Sequence, residues 1–242
     1  MPFEVEPAGA LVGGTRVPYP FVCVPGADAL SVLAELRMAH PDLSPVAWGD
    51  RDDAARLFAR FPSPSEREIE TALQEAEGSA LDLLDAWIAG RISTVGGIDD
   101  DDGPPVEADG PLPSPHAVPI SLLDYRTGEP RPEILLGLVP TPRPHELAAY
   151  HAFGGWKSCP PPAVHTALAR EWAARFGARP ICNLPDVLEY EIAAPIATRE
   201  EALELAWVHY RYCSDTVDQL VGSIEGLAAT LRGARYWYFW WE

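Results

Sequence analysis

The sequence predicts an α/β or α+β fold: a mixed β-sheet flanked by helices, with an aromatic C-terminal strand buried in the sheet. Three observations carry this. Short apolar runs closed by Pro or Gly, such as "YPFVCVPG" and "EILLGLVP", alternate with longer segments of helical period. Two helix starts have capping-box spacing, Ser65 with Glu68 and Thr198 with Glu201. Six of the last seven residues are aromatic, in the stretch "ARYWYFWWE".

Taken in order, "YPFVCVPG" reads as a buried strand running into a turn. "ADALSVLAELRMAH" follows as a helix, with Ala29, Val32, Leu33, Leu36 and Ala39 on one face. "LSPVAWGD" is a second strand and "RDDAARLFARF" a second helix. A helix starts at Ser65, and Gly78 is placed to divide it in two. The stretch 94–116 then breaks the pattern. Four consecutive aspartates repel one another, and Gly and Pro interrupt regular structure, so a mobile acidic linker or long loop is expected. It separates an N-terminal α/β portion, 1–93, from a C-terminal α/β domain, 117–242.

Beyond the linker, "EILLGLVP" is an apolar strand and "PAVHTALAREWAARFG" a helix ending at Gly177. "ARPICNL" and "VLEYEIAAP" are strands. In the second, Leu188, Tyr190 and Ile192 share one face, which leaves Glu189 and Glu191 on a face expected to meet water. A helix follows from Thr198, then one or two more through "SDTVDQLVGSIEGLAATLRG". In the closing strand Tyr236, Tyr238 and Trp240 alternate with Trp237, Phe239 and Trp241, so both faces are aromatic. A central strand covered on both sides has that character. Each such ring contributes on the order of 1.5–3 kcal/mol gross when fully buried.

Composition narrows the function classes. The chain of 242 residues carries 36 acidic and 18 basic residues, a net charge of −18. Residues 1–110 hold 21 acids and 7 bases; residues 111–242 hold 15 and 11. Such a surface repels nucleic acid and suits a solubilised acidic protein or one steered towards a basic partner. No apolar run reaches the roughly 18 residues of a membrane span, and the opening residues lack a basic region followed by an apolar one, so a cytoplasmic protein is expected. In that compartment Cys23, Cys159, Cys182 and Cys213, with no CxxC pair among them, are expected to be reduced. The bias to Arg over Lys, with Ala and Pro abundant, suggests a GC-rich bacterial genome.

Several segments together resemble a known bacterial family. They are "GLVPTPRPHELAAYHAFGGWKSCPPP", "ALAREWAARFGARP", "DVLEYEIAAP", "TREEALELAWVHYRYCSDTVDQ" and "YWYFWWE". The second half of the chain, roughly 135–242, is similar to the family called domain of unknown function 4253. That family has Gly-Trp-Asn-x-Cys-Pro, Tyr-Cys-x-Asp-x-Val-x-Gln and a closing Trp-Trp-Asp. This chain departs from it at Lys157, where Asn is usual, and at Glu242, where Asp is usual. The resemblance implies an α/β domain and no established reaction.

The residues with chemical potential fall in two of these segments. His209 and Cys213 are four apart on one helical face, a spacing that suits a soft metal, but no second pair joins them. Packing and helix capping explain that stretch better, and neither metal nor cofactor is expected. Asp215, Asp218 and Gln219 follow, and a cap does not need the last two. Trp156 and Cys159 lie in "FGGWKSCPPP" beside His165; a Cys–His nucleophile is conceivable, though three prolines after a Cys more often make a rigid turn. No GxGxxG, P-loop, GxSxG or HExxH is present. The leading expectation is an acidic protein-binding module, of the toxin-neutralising or immunity-like kind. The alternative is a hydrolase or transferase whose site gathers Trp156, Cys159, Asp215, Asp218, Gln219 and the final aromatics, Trp241 among them.

Overall fold

A computed structural model describes residues 4–95 and 103–242. The strands are β1 (Val5–Glu6), β2 (Leu11–Val12), β3 (Thr15–Arg16), β4 (Phe21–Val24), β5 (Ser44–Ala47), β6 (Ile134–Val139), β7 (Arg179–Asn183), β8 (Val187–Glu191) and β9 (Tyr236–Trp240). The helices are α1 (Ala29–Ala39), α2 (Arg51–Arg60), α3 (Glu66–Glu75), α4 (Ala80–Val95), α5 (Leu147–Tyr150), α6 (Pro162–Phe176), α7 (Arg199–Tyr212) and α8 (Ile224–Leu231). A π-helical turn, Thr216–Val221, joins the last two. Among the described residues no helix is long and apolar enough to cross a membrane.

Local chemistry sets the helix boundaries. The Asp50 carboxylate accepts from the N–H groups of Asp52 and Asp53 and so starts α2. Ser65 and Glu68 form a reciprocal capping box on α3, and the Thr198 hydroxyl accepts from Glu201 N–H at the start of α7. The break around Gly78 separates α3 from α4.

Seven strands form one mixed sheet in the order β1-β4-β6-β5-β7-β8-β9, while β2 and β3 pair as a separate hairpin. Only β5 and β7 run parallel; the other neighbours are antiparallel. Strands from both sides of 94–116 alternate here, with β5 between β6 and β7. All six residues of β6 are buried, as a central strand requires. At its middle a Cβ on Gly137 would lie inside the Trp48 ring, so only glycine lets the indole cross the strand. The Trp48 indole N–H donates to Nε2 of His151 over 3.0 Å. That places the His151 proton on Nδ1, which donates to the Leu147 carbonyl over 2.8 Å.

One sheet face, with Phe21, Trp48, Leu135, Tyr190, Phe239 and Trp241, packs into the core shared with most of the helices. The other, with Val22, Leu136, Ile181 and Cys182, lies under α1 and the turn Ile120–Leu122. Here the expectation for the two glutamates of β8 is corrected. Glu189 is fully buried, because that turn crosses over it; its carboxylate accepts from Ile120 N–H at 2.7 Å and Ser121 N–H at 2.9 Å. Glu191 is half-buried and pairs with Arg37 of α1 at 2.9 Å. The acids tie down the covering layer.

The aromatic strand β9 lies in the sheet, but at its edge rather than in the middle. Trp237, Phe239 and Trp241 are buried, whereas Tyr236, Tyr238 and Trp240 are half-buried. Two aromatic faces do not need a neighbour on each side; here a deep core takes one face and a thinner layer the other.

Of the 94–116 stretch, residues 94 and 95 end α4, and 96–102, which include the aspartate run, lie outside the described residues. The described remainder caps α8. The carbonyls of Pro105 and Val106 accept from the N–H groups of Ile224 and Glu225, both at 2.9 Å, and Ala108 N–H donates to the Glu225 carboxylate at 3.2 Å. These first-turn N–H groups have no partner within the helix.

The two faces of β9 make a testable contrast. Trp241→Ala is expected to cost about 3–5 kcal/mol, the range for truncating a buried large aromatic, and Trp240→Ala clearly less. Urea unfolding of the two variants checks this; equal losses would refute the assignment of faces.

Candidate functional site

The loop between α5 and α6 is shaped by backbone that few residues tolerate. Gly154 has φ +113° and Gly155 φ +81°, and the non-glycine residues Ala152 and Lys157 also take positive φ, 49° and 41°. A side chain at Gly154 would strike the Pro160 carbonyl and the His165 ring. Gly155 N–H donates to the Pro160 carbonyl at 2.9 Å, and Cys159 N–H donates to the Trp156 carbonyl at 2.7 Å. The result is a tight crook that leaves Trp156 half-buried against neighbouring rings and turns Cys159 into the core.

Inside, three side chains form a hydrogen-bonded row. The Cys159 sulfur lies 3.4 Å from Nε2 of His165, and Nδ1 of His165 lies 2.5 Å from the Tyr212 hydroxyl at the end of α7. Sequence spacing alone could not place His165 against Cys159; the crook does. Yet both groups are buried, and burial drives them to their neutral forms. It raises the Cys159 thiol far above its ordinary value and lowers His165 to about 3. Sulfur attacks as thiolate, so the imidazolium–thiolate pair that nucleophilic chemistry requires is the disfavoured state here.

Outside the row, Trp156 is held between rings and a cation. Arg60, at the end of α2, sits over its face at 3.9 Å, with Phe61 at 5.4 Å, Phe153 at 5.3 Å and Trp241 at 6.5 Å between ring centres. Its indole nitrogen is buried with no hydrogen-bond partner among the described residues. Arg60 also reaches the Pro185 carbonyl at 3.4 Å. It carried no signal in the sequence, being one arginine among many at a helix end.

Asp215 joins three segments. Its carboxylate accepts from Gln219 Nε2 at 3.0 Å, from Glu242 N–H at 3.1 Å and from the Ser158 hydroxyl at 3.4 Å. Trp156, Cys159, Asp215, Gln219 and Trp241 therefore meet around the end of β9, and Asp218 is exposed beside Gln219 on the π-helical turn. Much of this constellation is structural, since Asp215 and the Trp241 ring anchor the chain's last residues. His209 and Cys213 are engaged separately. The His209 ring packs on Trp172, Trp237 and Phe239, and the Cys213 thiol donates to the Trp240 carbonyl at 3.0 Å. All four cysteines are free. Among the described residues no three His, Cys, Asp or Glu side chains lie close enough to hold a metal ion.

Residues 135–242 match the model of a family described as "Domain of unknown function (DUF4253)". The match makes this C-terminal part of the chain similar to that family. Neither the curated proteins nor the solved structures contain a match to the chain. The DUF4253 portion begins inside β6 and holds β7, β8, β9 and α5 to α8, while β4 and β5 complete its sheet from outside. The crook lies within it. Lys157 occupies left-handed backbone, which Asn tolerates better than Lys.

Two expectations follow. Lys157→Asn should stabilise the protein by about 0.5–1 kcal/mol, since it relieves part of the left-handed penalty of roughly 1–2 kcal/mol. A melting temperature unchanged or lowered by this substitution would contradict that account. The second concerns pH. Burial lowers His151 to about 4, and His165 and His209 to about 3, from an ordinary 6.5. Each ring binds its proton more weakly folded than unfolded, so the unfolded chain takes up protons below that ordinary value. This stability is complete above about pH 6.5 and is lost as pH falls towards the folded values, by up to about 1.4 kcal/mol per pH unit for each ring. Glu189, raised by burial, acts in the opposite sense, while His116 and His145, also lowered by burial, add to the three rings. Urea midpoints should fall steeply from about pH 6.5 to pH 4.5; a flat profile over that window would refute the assignment.

Proposed function

We propose that the protein is a binding module of the toxin-neutralising kind, whose acidic α3–α4 face captures a basic protein partner. The observation that supports this reading most directly is α3 itself. None of its residues is buried, although it packs against α5 and α6. From Glu66 to Asp85 the chain presents seven exposed acids, with Arg67 the one base in that stretch. Such a face concentrates negative potential, which speeds encounter with a positive surface and sets its orientation.

A hydrolase or transferase reading has one observation in its favour, the contact of Cys159 with His165 at 3.4 Å. It requires the crook to open and the thiol to lose its proton against the cost of burial.

The binding reading is tested by reversing Glu75, Glu77 and Asp82 to Lys. The partner retained by the immobilised wild-type protein is expected to be basic and to be released as salt rises from about 0.05 to 0.5 M, because screening shortens to a few ångströms over that range. The triple variant should retain it poorly. A partner held equally by the variant and at high salt overturns the proposal.

A further inference from the structure

Beside α3, on the side away from α6, runs a groove of 470 Å³. Its lining is mixed: Tyr19, Ile69, Leu73 and Tyr150 supply apolar surface, beside Ser63 and three prolines. Two acids line it, Glu66 and Glu70, one helical turn apart. From these features we infer that the groove is the seat of an extended, arginine-bearing segment of the partner. The inference rests on the acidic-capture reading and assigns the chemistry of what is captured.

Three features argue for that occupant. First, the walls are preorganised. The Tyr19 hydroxyl donates to the Tyr150 carbonyl at 2.6 Å, and its ring meets His151 edge-on at 5.8 Å, so the floor pays little ordering entropy on binding. Second, the two acids have no ion pair among the described residues, whereas Glu171, Glu225 and Asp85 are paired with Arg175, Arg199 and Arg211. Nearby Glu68 serves the helix cap. Glu66 and Glu70 are both exposed and offer uncompensated charge beside apolar surface. Arginine suits this combination, because its stem and planar guanidinium cover aromatic rings while its N–H groups meet carboxylates. Third, the spacings agree. Four residues of helix rise about 6 Å. Alternate residues of an extended chain, which share a face, are about 6.6 Å apart. An Arg-x-Arg segment thus matches Glu66 and Glu70 one to one. The two tyrosines give an extended backbone an aromatic wall, as grooves for extended peptides do.

The test uses the full chain and a fluorescein-labelled peptide of four Arg-Thr repeats, with a peptide of the same composition in Arg-Arg-Thr-Thr order as the control. Wild type is expected to bind the alternating peptide more tightly than the control. The double substitution Glu66→Gln and Glu70→Gln should weaken that binding by about fivefold or more, as expected for the loss of two partly exposed ion pairs. Its far-ultraviolet dichroism and melting temperature should stay near those of wild type. Reversal of Glu75, Glu77 and Asp82, which do not line the groove, should weaken it less. Absence of peptide binding by wild type overturns the inference, as does equal affinity of wild type and the Gln variant. If that equality is joined by a large loss in the triple reversal, acidic capture stands and the groove is not its seat.

Discussion

Trp172 of α6 lies flat on Phe239 of β9, with ring centres 5.5 Å apart and planes 3° from parallel. Tyr190, Tyr212 and Trp237 meet the same indole edge-on, and His209 meets it at a tilt. These rings come from α6, α7, β8 and β9, so one contact cluster sets how the second half of the chain closes. Aromatic pairs in offset or edge geometry add about 0.5–1.5 kcal/mol each beyond the area they bury. The cluster also places the row that ends at Cys159, because Tyr212 touches Trp172 on one side and His165 on the other. A shift of α6 against α7 would break the contact of His165 with Tyr212.

The acids divide into two populations with different roles. Those withdrawn from water are fully partnered. Asp53 is bonded to Arg56 and Arg131, Glu146 to Thr141 and Arg143, and Glu189 to two backbone N–H groups. Burying a carboxylate without such partners costs several kcal/mol. On α3 the acids stay in water, and the helix keeps its place through half-buried Ile69, Ala72 and Leu73. Acidity in this protein is therefore no uniform coat. Part of it fastens loops and the covering layer to the sheet, and part stays exposed to water, Glu66, Glu70 and Glu75 of α3 among it.

Helix starts, the break at Gly78 and most strands were legible because their causes are local. A Ser or Thr with Glu three residues later satisfies helix N–H groups within one turn, and an apolar run bounded by Pro or Gly reads the same in any context. The convergence of Trp156, Cys159, Asp215 and Trp241 was partly legible through the motif resemblance, which groups residues without giving distances.

What the sequence by itself determined was the kind and order of elements, the match of residues 135–242 to DUF4253, and the uneven charge along the chain. Tertiary structure alone decided the position of β9 at the sheet edge, the insertion of β5 between β6 and β7, and the burial of Glu189. It alone brought Arg60 onto Trp156 and His165 onto Cys159. The physical reason is separation along the chain. Alternation tells which residues share a face of a strand, but what covers that face comes from segments tens of residues away, whose arrival depends on packing summed over the whole core.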